Sequence, residues 1–364
     1  MLREIIFIIC YLFIIQASLA EESRSFFENL QNAPKPFALQ IEDEEGQVNH
    51  SKKHEDLERL RKVLLRTQLA SLAYVDDEVI RKHFPDVSIH ITRKSKIKFF
   101  VMIDLVNAQR LIAIRGNAND SNWMISLQVE LARGFLGDIA IHSGFLDGAL
   151  EVFEDGGFEK VMKEKAIRQS QDVSIPLKNV LVGHSMGGAI AILLAKKMEM
   201  AGHEIDEVVT FAQPMVTDEA GAKELSSLPI IRITNVQDLV TYLPTVELGY
   251  RHIGEKLELG KEGYRFLSNS DEDNVPWVPP EEREIVWDQV RENPAKLSFT
   301  INPGDGGISC RSTVPVGDLV DIVIAHSLLS YISILHKHIN GLRQDLGLNP
   351  EGDFHKKHPI PKFQ

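Results

Sequence analysis

The run Gly183-His184-Ser185-Met186-Gly187-Gly188 sets a serine between glycines at Gly-x-Ser-x-Gly spacing. Residues 179–182 before it form a short apolar run of strand character, and residues 189–198 after it combine apolar side chains with strong helix formers. A serine on a sharp turn between strand and helix is lifted out of the sheet, and the glycines let the two backbones approach closely. The chemistry open to such a serine is nucleophilic attack on a carbonyl carbon. The turn also leaves the Met186 amide at a helix N-terminus, where it can donate to the oxyanion that the attack generates. Glycine and serine are common enough for the bare spacing to arise by accident. The strand before and the helix after single this instance out.

A serine nucleophile needs a base, and the base needs a carboxylate to orient it. Asp238 closely follows the strand-like residues 230–234, so its carboxylate would lie on the same sheet rim as the elbow. A helix cap or turn aspartate is the alternative at this position. Five histidines follow Ser185 in patterned sequence: His203, His252, His326, His336 and His338. His203 comes soon after the elbow helix and would point to the opposite edge. His252 sits in a strand-like run, and His336 and His338 flank Lys337 on a face that reads as solvated. His326 alone interrupts a strongly apolar stretch, residues 322–329, where an unpaired imidazole would be costly.

The elements that must position these groups follow from periodicity. Apolar residues at Leu60, Val63, Leu64, Leu69, Leu72 and Ala73 recur at helical spacing from Leu57 to Tyr74. Residues 87–91, 97–103 and 110–114 alternate like antiparallel strands that precede the nucleophile. Residues 145–167 read as a helix with a glycine pair at Gly156 and Gly157. After the elbow, residues 207–211 read as a strand, 217–225 as a helix and 230–234 as another strand. Residues 256–314 carry acidic, proline and glycine turn signals and read as an insertion. Residues 318–339 resume as a long, mainly apolar helix, and 347–364 form a tail. The domain so delimited runs from 57 to 346.

Length and charge set the outer bounds. A chain of 364 residues with 43% hydrophobic content holds enough apolar mass for one large α/β core. A formal charge of -12 argues against nucleic acid as a partner, because phosphate binding needs a basic surface. Arg3, the unbroken apolar residues 5–15 and the small residues Ala17, Ser18 and Ala20 read as an export signal over residues 1–20, cleaved near Ala20. Residues 21–56 read as a flexible lead-in. Removal of the signal takes Cys10 with it, and Cys310 is left without an internal disulfide partner. No metal-binding or phosphate-loop pattern stands in the sequence, so no cofactor is expected.

Five segments taken together resemble the class 3 lipase family, the group similar to fungal triacylglycerol lipases. They are Arg115-Gly116-Asn117 with Asn122-Trp123, His142-Ser143-Gly144-Phe145, the elbow, residues 210–214 with 235–240 and 243–244, and residues 250–255. The resemblance covers roughly residues 57–255 and 316–335. It implies an α/β-hydrolase fold, a mostly parallel central sheet with helices on both faces. It further implies Ser185 as nucleophile, Asp238 as orienting carboxylate, His326 as base, and Asn117 with Met186 as oxyanion donors. The chain departs from the family pattern at Asn117, Ala212, Met215 and Ala325, where the family usually carries Thr or Ser, Gly, Arg and Asp.

That resemblance leads us to expect hydrolysis of lipid carboxylic esters such as acylglycerols or phospholipids. Trp123, Met124, Ile125 and Leu127 are candidate lid residues that could meet a lipid surface, and an ordinary surface helix packed on the domain would show the same residues. A short-chain esterase or acyltransferase, or a non-catalytic lipid- or partner-binding relative, are the alternative readings. No metal, nucleotide or other cofactor enters the expected reaction.

Overall fold

Short apolar runs with an apolar residue at nearly every position cannot leave either face to water, and here such runs occupy the centre of one sheet. The computed structural model describes residues 47–104, 107–116, 131–133, 135, 137, 139–163, 166–168, 173–244, 246–261, 263–268, 297–301, 308–312 and 325–350. Eight strands share the main sheet in chain order. They are β1 (Ser88–Ile91), β2 (Lys98–Asp104), β3 (Gln109–Ile114), β4 (Lys178–His184), β5 (Ile205–Phe211), β6 (Ile230–Asn235), β7 (Glu255–Leu259) and β8 (Tyr264–Leu267). Strands β3 to β7 pair parallel, while β1 on β2, β2 on β3 and β8 on β7 pair antiparallel. This is the mostly parallel sheet of an α/β-hydrolase.

Alternation along each strand splits the core into two layers. Val180 and Val182 of β4 face one layer with Val209 and Phe211 of β5, and they meet helices α1 (Gln47–Leu72) and α7 (Leu328–Asp345). Leu181 and Val208 face the other layer, where they meet α3 (Ser143–Phe153), α4 (Gly156–Lys163), α5 (Met186–Met200) and α6 (Glu219–Leu225). A further short helix, α2 (Asp77–His83), follows α1. Helix α5 is apolar nearly all round and is accordingly buried on nearly every side.

Several element boundaries differ from the sequence reading. Helix α1 begins at Gln47, inside the segment expected to be a flexible lead-in. Its first turns are polar and gain their order from distant partners: Lys53 pairs with Asp345 at 2.7 Å, and Asp56 accepts from the Tyr264 hydroxyl at 3.0 Å. The expected helix over 145–167 is two helices, because the chain turns at Glu154 and Asp155 and the Asp155 carboxylate caps the Gly157 amide at 2.9 Å. Residues 217–218 are a strand bridge, and α6 starts only at Glu219, capped by Asp218.

The segment read as an insertion from 256 contributes β7 and β8 to the main sheet. Charged residues hid these strands: Lys256 pairs with Glu258 at 3.0 Å, and Arg265 closes on the same carboxylate. Residues 297–301 and 308–312 form a separate two-stranded ribbon. The expected single helix over 318–339 is interrupted at Ser327, whose extended backbone caps α7, and α7 continues to Asp345 before Gly347 ends it at φ 69°. The proposed signal, residues 1–20, and residues 351–364 of the tail lie outside the described residues.

Candidate active site

Three neighbouring backbones converge on the elbow. A Cβ added at Gly183 would lie 2.2 Å from the Gly187 carbonyl oxygen, and one at Gly187 would lie 2.3 Å from that of Ile114. Only hydrogen at both positions lets β3, β4 and α5 come so close. Ser185 between them has φ 57° and ψ -130°, a conformation that a residue with a Cβ rarely adopts. The surrounding structure holds it there. The Ser185 amide donates to the Phe211 carbonyl at 2.8 Å, and its own carbonyl accepts from Gly188 and Ala189 at the start of α5. Met186 is the first residue of that helix, so its N–H belongs to the set that has no acceptor inside the helix.

The structure brings Ser185, His326 and Asp238 together. His326 Nε2 lies 2.9 Å from Ser185 Oγ, and His326 Nδ1 lies 3.0 Å from Asp238 Oδ2 and 3.1 Å from Oδ1. An ionised carboxylate only accepts, so Nδ1 carries the ring proton and leaves the Nε2 lone pair for the serine hydroxyl. Asp238 is fully buried, and its charge is met from three sides. Besides His326, the Val240 amide donates to Oδ1 at 3.0 Å and the Tyr331 hydroxyl donates to Oδ2 at 2.7 Å. Ser185 is 7% exposed.

Tyr331 and Asn235 were not singled out in the sequence. Burial, reinforced by the neighbouring Asp238 charge, pushes the Tyr331 phenol well above its ordinary range, so it remains a donor. Its oxygen accepts from the Asn235 amide at 3.1 Å. The Asn235 side chain in turn donates to the Ala325 carbonyl at 3.1 Å, anchoring the residue before the histidine where the family usually carries an aspartate. Tyr331 stands five residues after His326, a local spacing that could have drawn attention to it once His326 was in view. At Ala212 the turn after β5 keeps φ 53°, the left-handed region that explains why glycine is usual there.

The remaining histidines lie elsewhere. His338 on α7 bonds the Gly260 carbonyl at 2.8 Å, beside the loop between β7 and β8, and His203 follows the far end of α5. Asn117 and the candidate lid residues Trp123, Met124, Ile125 and Leu127 lie outside the described residues. Among the described residues, no three His, Cys, Asp or Glu side chains are grouped as metal ligands would be.

A strained serine on an elbow at the carboxyl end of a mostly parallel sheet, with helices on both faces, defines the α/β-hydrolase class. Within that class, residues 111–248 match the lipase (class 3) family model, the family whose motifs the sequence resembles. The chain is 25% identical over 176 residues to a secreted mono- and diacylglycerol lipase A of Penicillium cyclopium, covering 47% of this chain and 55% of that protein. It is 30% identical over 152 residues to a lipase of Rhizomucor miehei, covering 40% of each. It is also 29% identical over 188 residues to phospholipase A1 EG1 of Oryza sativa subsp. indica, covering 41% of this chain and 42% of that one. The chain thus spans about half the length, or less, of the curated relatives it matches. The solved triacylglyceride lipase of Rhizomucor miehei shares the fold at a TM-score of 0.50 and 23% identity, over 61% of this chain and 91% of that one.

Proposed function

We propose that this chain is an exported serine hydrolase that cleaves carboxylic esters of lipids through an acyl-enzyme on Ser185. The observation that carries the reading is the unbroken line from Ser185 Oγ through His326 to the buried Asp238 carboxylate, at 2.9 and 3.0 Å. In the proposed reaction, His326 Nε2 takes the hydroxyl proton as Ser185 Oγ attacks the ester carbonyl carbon. Asp238 holds the ring in the tautomer that makes this transfer possible, and stabilises the imidazolium that forms. The oxyanion develops against the Met186 amide and the Asn117 side chain. Collapse expels the alcohol, which takes the proton from His326. Water then repeats the sequence on the acyl-enzyme and releases the acid.

Lipid esters as the substrate class are supported by the family match to lipases and by relatives named as a mono- and diacylglycerol lipase and a phospholipase A1. Trp123, Met124, Ile125 and Leu127 would supply an apolar surface for transient contact with a lipid phase. Export is supported by the apolar segment at residues 5–15 and by the secreted relatives. The test is hydrolysis of p-nitrophenyl esters of increasing acyl length by the purified chain and by Ser185→Ala. Turnover that favours long chains and vanishes in the variant is the expected result. A preference confined to the shortest esters would replace the lipase reading with an esterase, and turnover that survives the substitution would remove Ser185 from the reaction.

A further inference from the structure

The residue immediately before the nucleophile makes contacts that the reaction scheme does not use. His184 is buried at the end of β4, with its ring centroid 4.9 Å from that of His326. Its Nε2 lies 2.8 Å from the backbone carbonyl oxygen of His326, and its Nδ1 lies 2.8 Å from the Tyr74 hydroxyl. A carbonyl can only accept, so Nε2 carries the proton and Nδ1 accepts from Tyr74. The Tyr74 oxygen in turn accepts the Gly116 amide at 3.1 Å. Every donor therefore has one assignment. Gly116 N–H donates to Tyr74, Tyr74 O–H to His184, and His184 Nε2–H to the main chain of His326.

The two ends of this line both border Ser185. Gly116 lies just beyond β3 and just before residue 117, and a Cβ on it would come within 2.6 Å of the Tyr74 oxygen and 3.3 Å of the Ser185 Cβ. His326 lies just before Ser327, the cap of α7. Burial, and then the neighbouring His326, drive His184 down to about 3, so it stays neutral and does not compete for the proton that His326 must take. Tyr74, which follows the C-terminal end of α1, is half-buried and the loss of solvent pushes its phenol up, so it keeps its hydrogen.

We propose that Tyr74 and His184 are positioning residues, a two-member relay that ties the backbone of His326 to Gly116 at the end of β3 so that the base keeps its register about Ser185. The inference rests on the serine-hydrolase reading above. Small displacements of reacting groups cost rate steeply, so a relay of this kind acts on turnover more than on substrate binding. Buried polar groups that merely satisfy one another would instead act on stability alone.

The experiment measures kcat, KM and Tm with p-nitrophenyl butyrate for the full chain and for Tyr74→Phe, His184→Leu, His184→Gln and the Tyr74→Phe/His184→Leu double variant. Tyr74→Phe and His184→Leu should each lower kcat by roughly ten- to a hundredfold with KM within about twofold. The double variant should be no worse than the worse single one, because both break the same line. His184→Gln, which retains an N–H for the His326 carbonyl, should recover most of the loss. Folded variants with wild-type kcat and a lowered Tm would overturn the relay, as would additive losses or a glutamine no better than leucine. Should His184→Leu fail to fold, Tyr74→Phe decides by its kcat, since it removes a single oxygen. Wild type and Ser185→Ala run alongside: wild-type turnover that does not depend on Ser185 overturns the parent reading and the relay with it, whereas Ser185-dependent turnover leaves the variants to report on the relay alone.

Discussion

Asp238 is the residue on which the charge balance of the site turns. It sits without exposure among donors from His326, Tyr331 and the Val240 amide, and its bond to Nδ1 holds His326 in the productive tautomer. Asp238→Asn should leave the fold intact and lower kcat by about 10⁴, the cost of the wrong tautomer, read in a steady-state ester assay. Tyr331→Phe removes one donor from the buried carboxylate. It should lower kcat in the ester assay and cost about 1–3 kcal/mol of stability in a denaturant titration. Asn117→Ala should lower kcat by about 10² or more if its amide meets the oxyanion, with KM little changed. Of this site, Ser185 was legible because its motif is local. Asp238 and His326 were legible only as candidates among alternatives, and the resemblance narrowed them. Tyr331 and Asn235 escaped because their roles exist only once α7 packs against β6.

At the scale of elements, the elbow is a meeting of three backbones rather than a loop with a reactive residue on it. Gly187→Ala forces a methyl to within 2.3 Å of the Ile114 carbonyl, a contact that nothing but a backbone shift can relieve. The variant should lose at least about 2 kcal/mol of stability, and a Tm within a degree of wild type would contradict the packing described here. Periodicity identified β1 to β6 and α5 because their apolar runs are short and dense. It placed the start of α1 too late and missed β7 and β8, where charged residues are satisfied by partners on other elements, Asp345 for Lys53 and the cross-strand Arg265 for Glu258. The break before α7 was equally hidden. Residues 322–329 read as uninterrupted helix in composition, whereas the cap at Ser327 places His326 at the helix entrance.

For the whole molecule, two apolar layers on one sheet supply the stability, and buried ionisable groups set its dependence on pH. His184 is the clearest case. Unfolded, it takes up a proton below about 6.5, while the folded chain refuses that proton until about 3. Its contribution is therefore constant above 6.5 and falls by about 1.4 kcal/mol for each pH unit below that, down to the folded value. Wild type should lose Tm more steeply between pH 6.5 and 4 than His184→Gln, which has no such proton to gain; parallel slopes in thermal scans would contradict the assignment. The central claim, that Ser185 is the nucleophile of an ester hydrolase, is tested most directly by reacting the full chain with a fluorophosphonate ester and mapping the adduct by peptide mass spectrometry. One phosphonyl group per chain should form on the peptide that contains Ser185, with ester turnover lost in proportion to its formation. A folded chain that stays unmodified, or that carries the group elsewhere while Ser185 remains free, would contradict the claim.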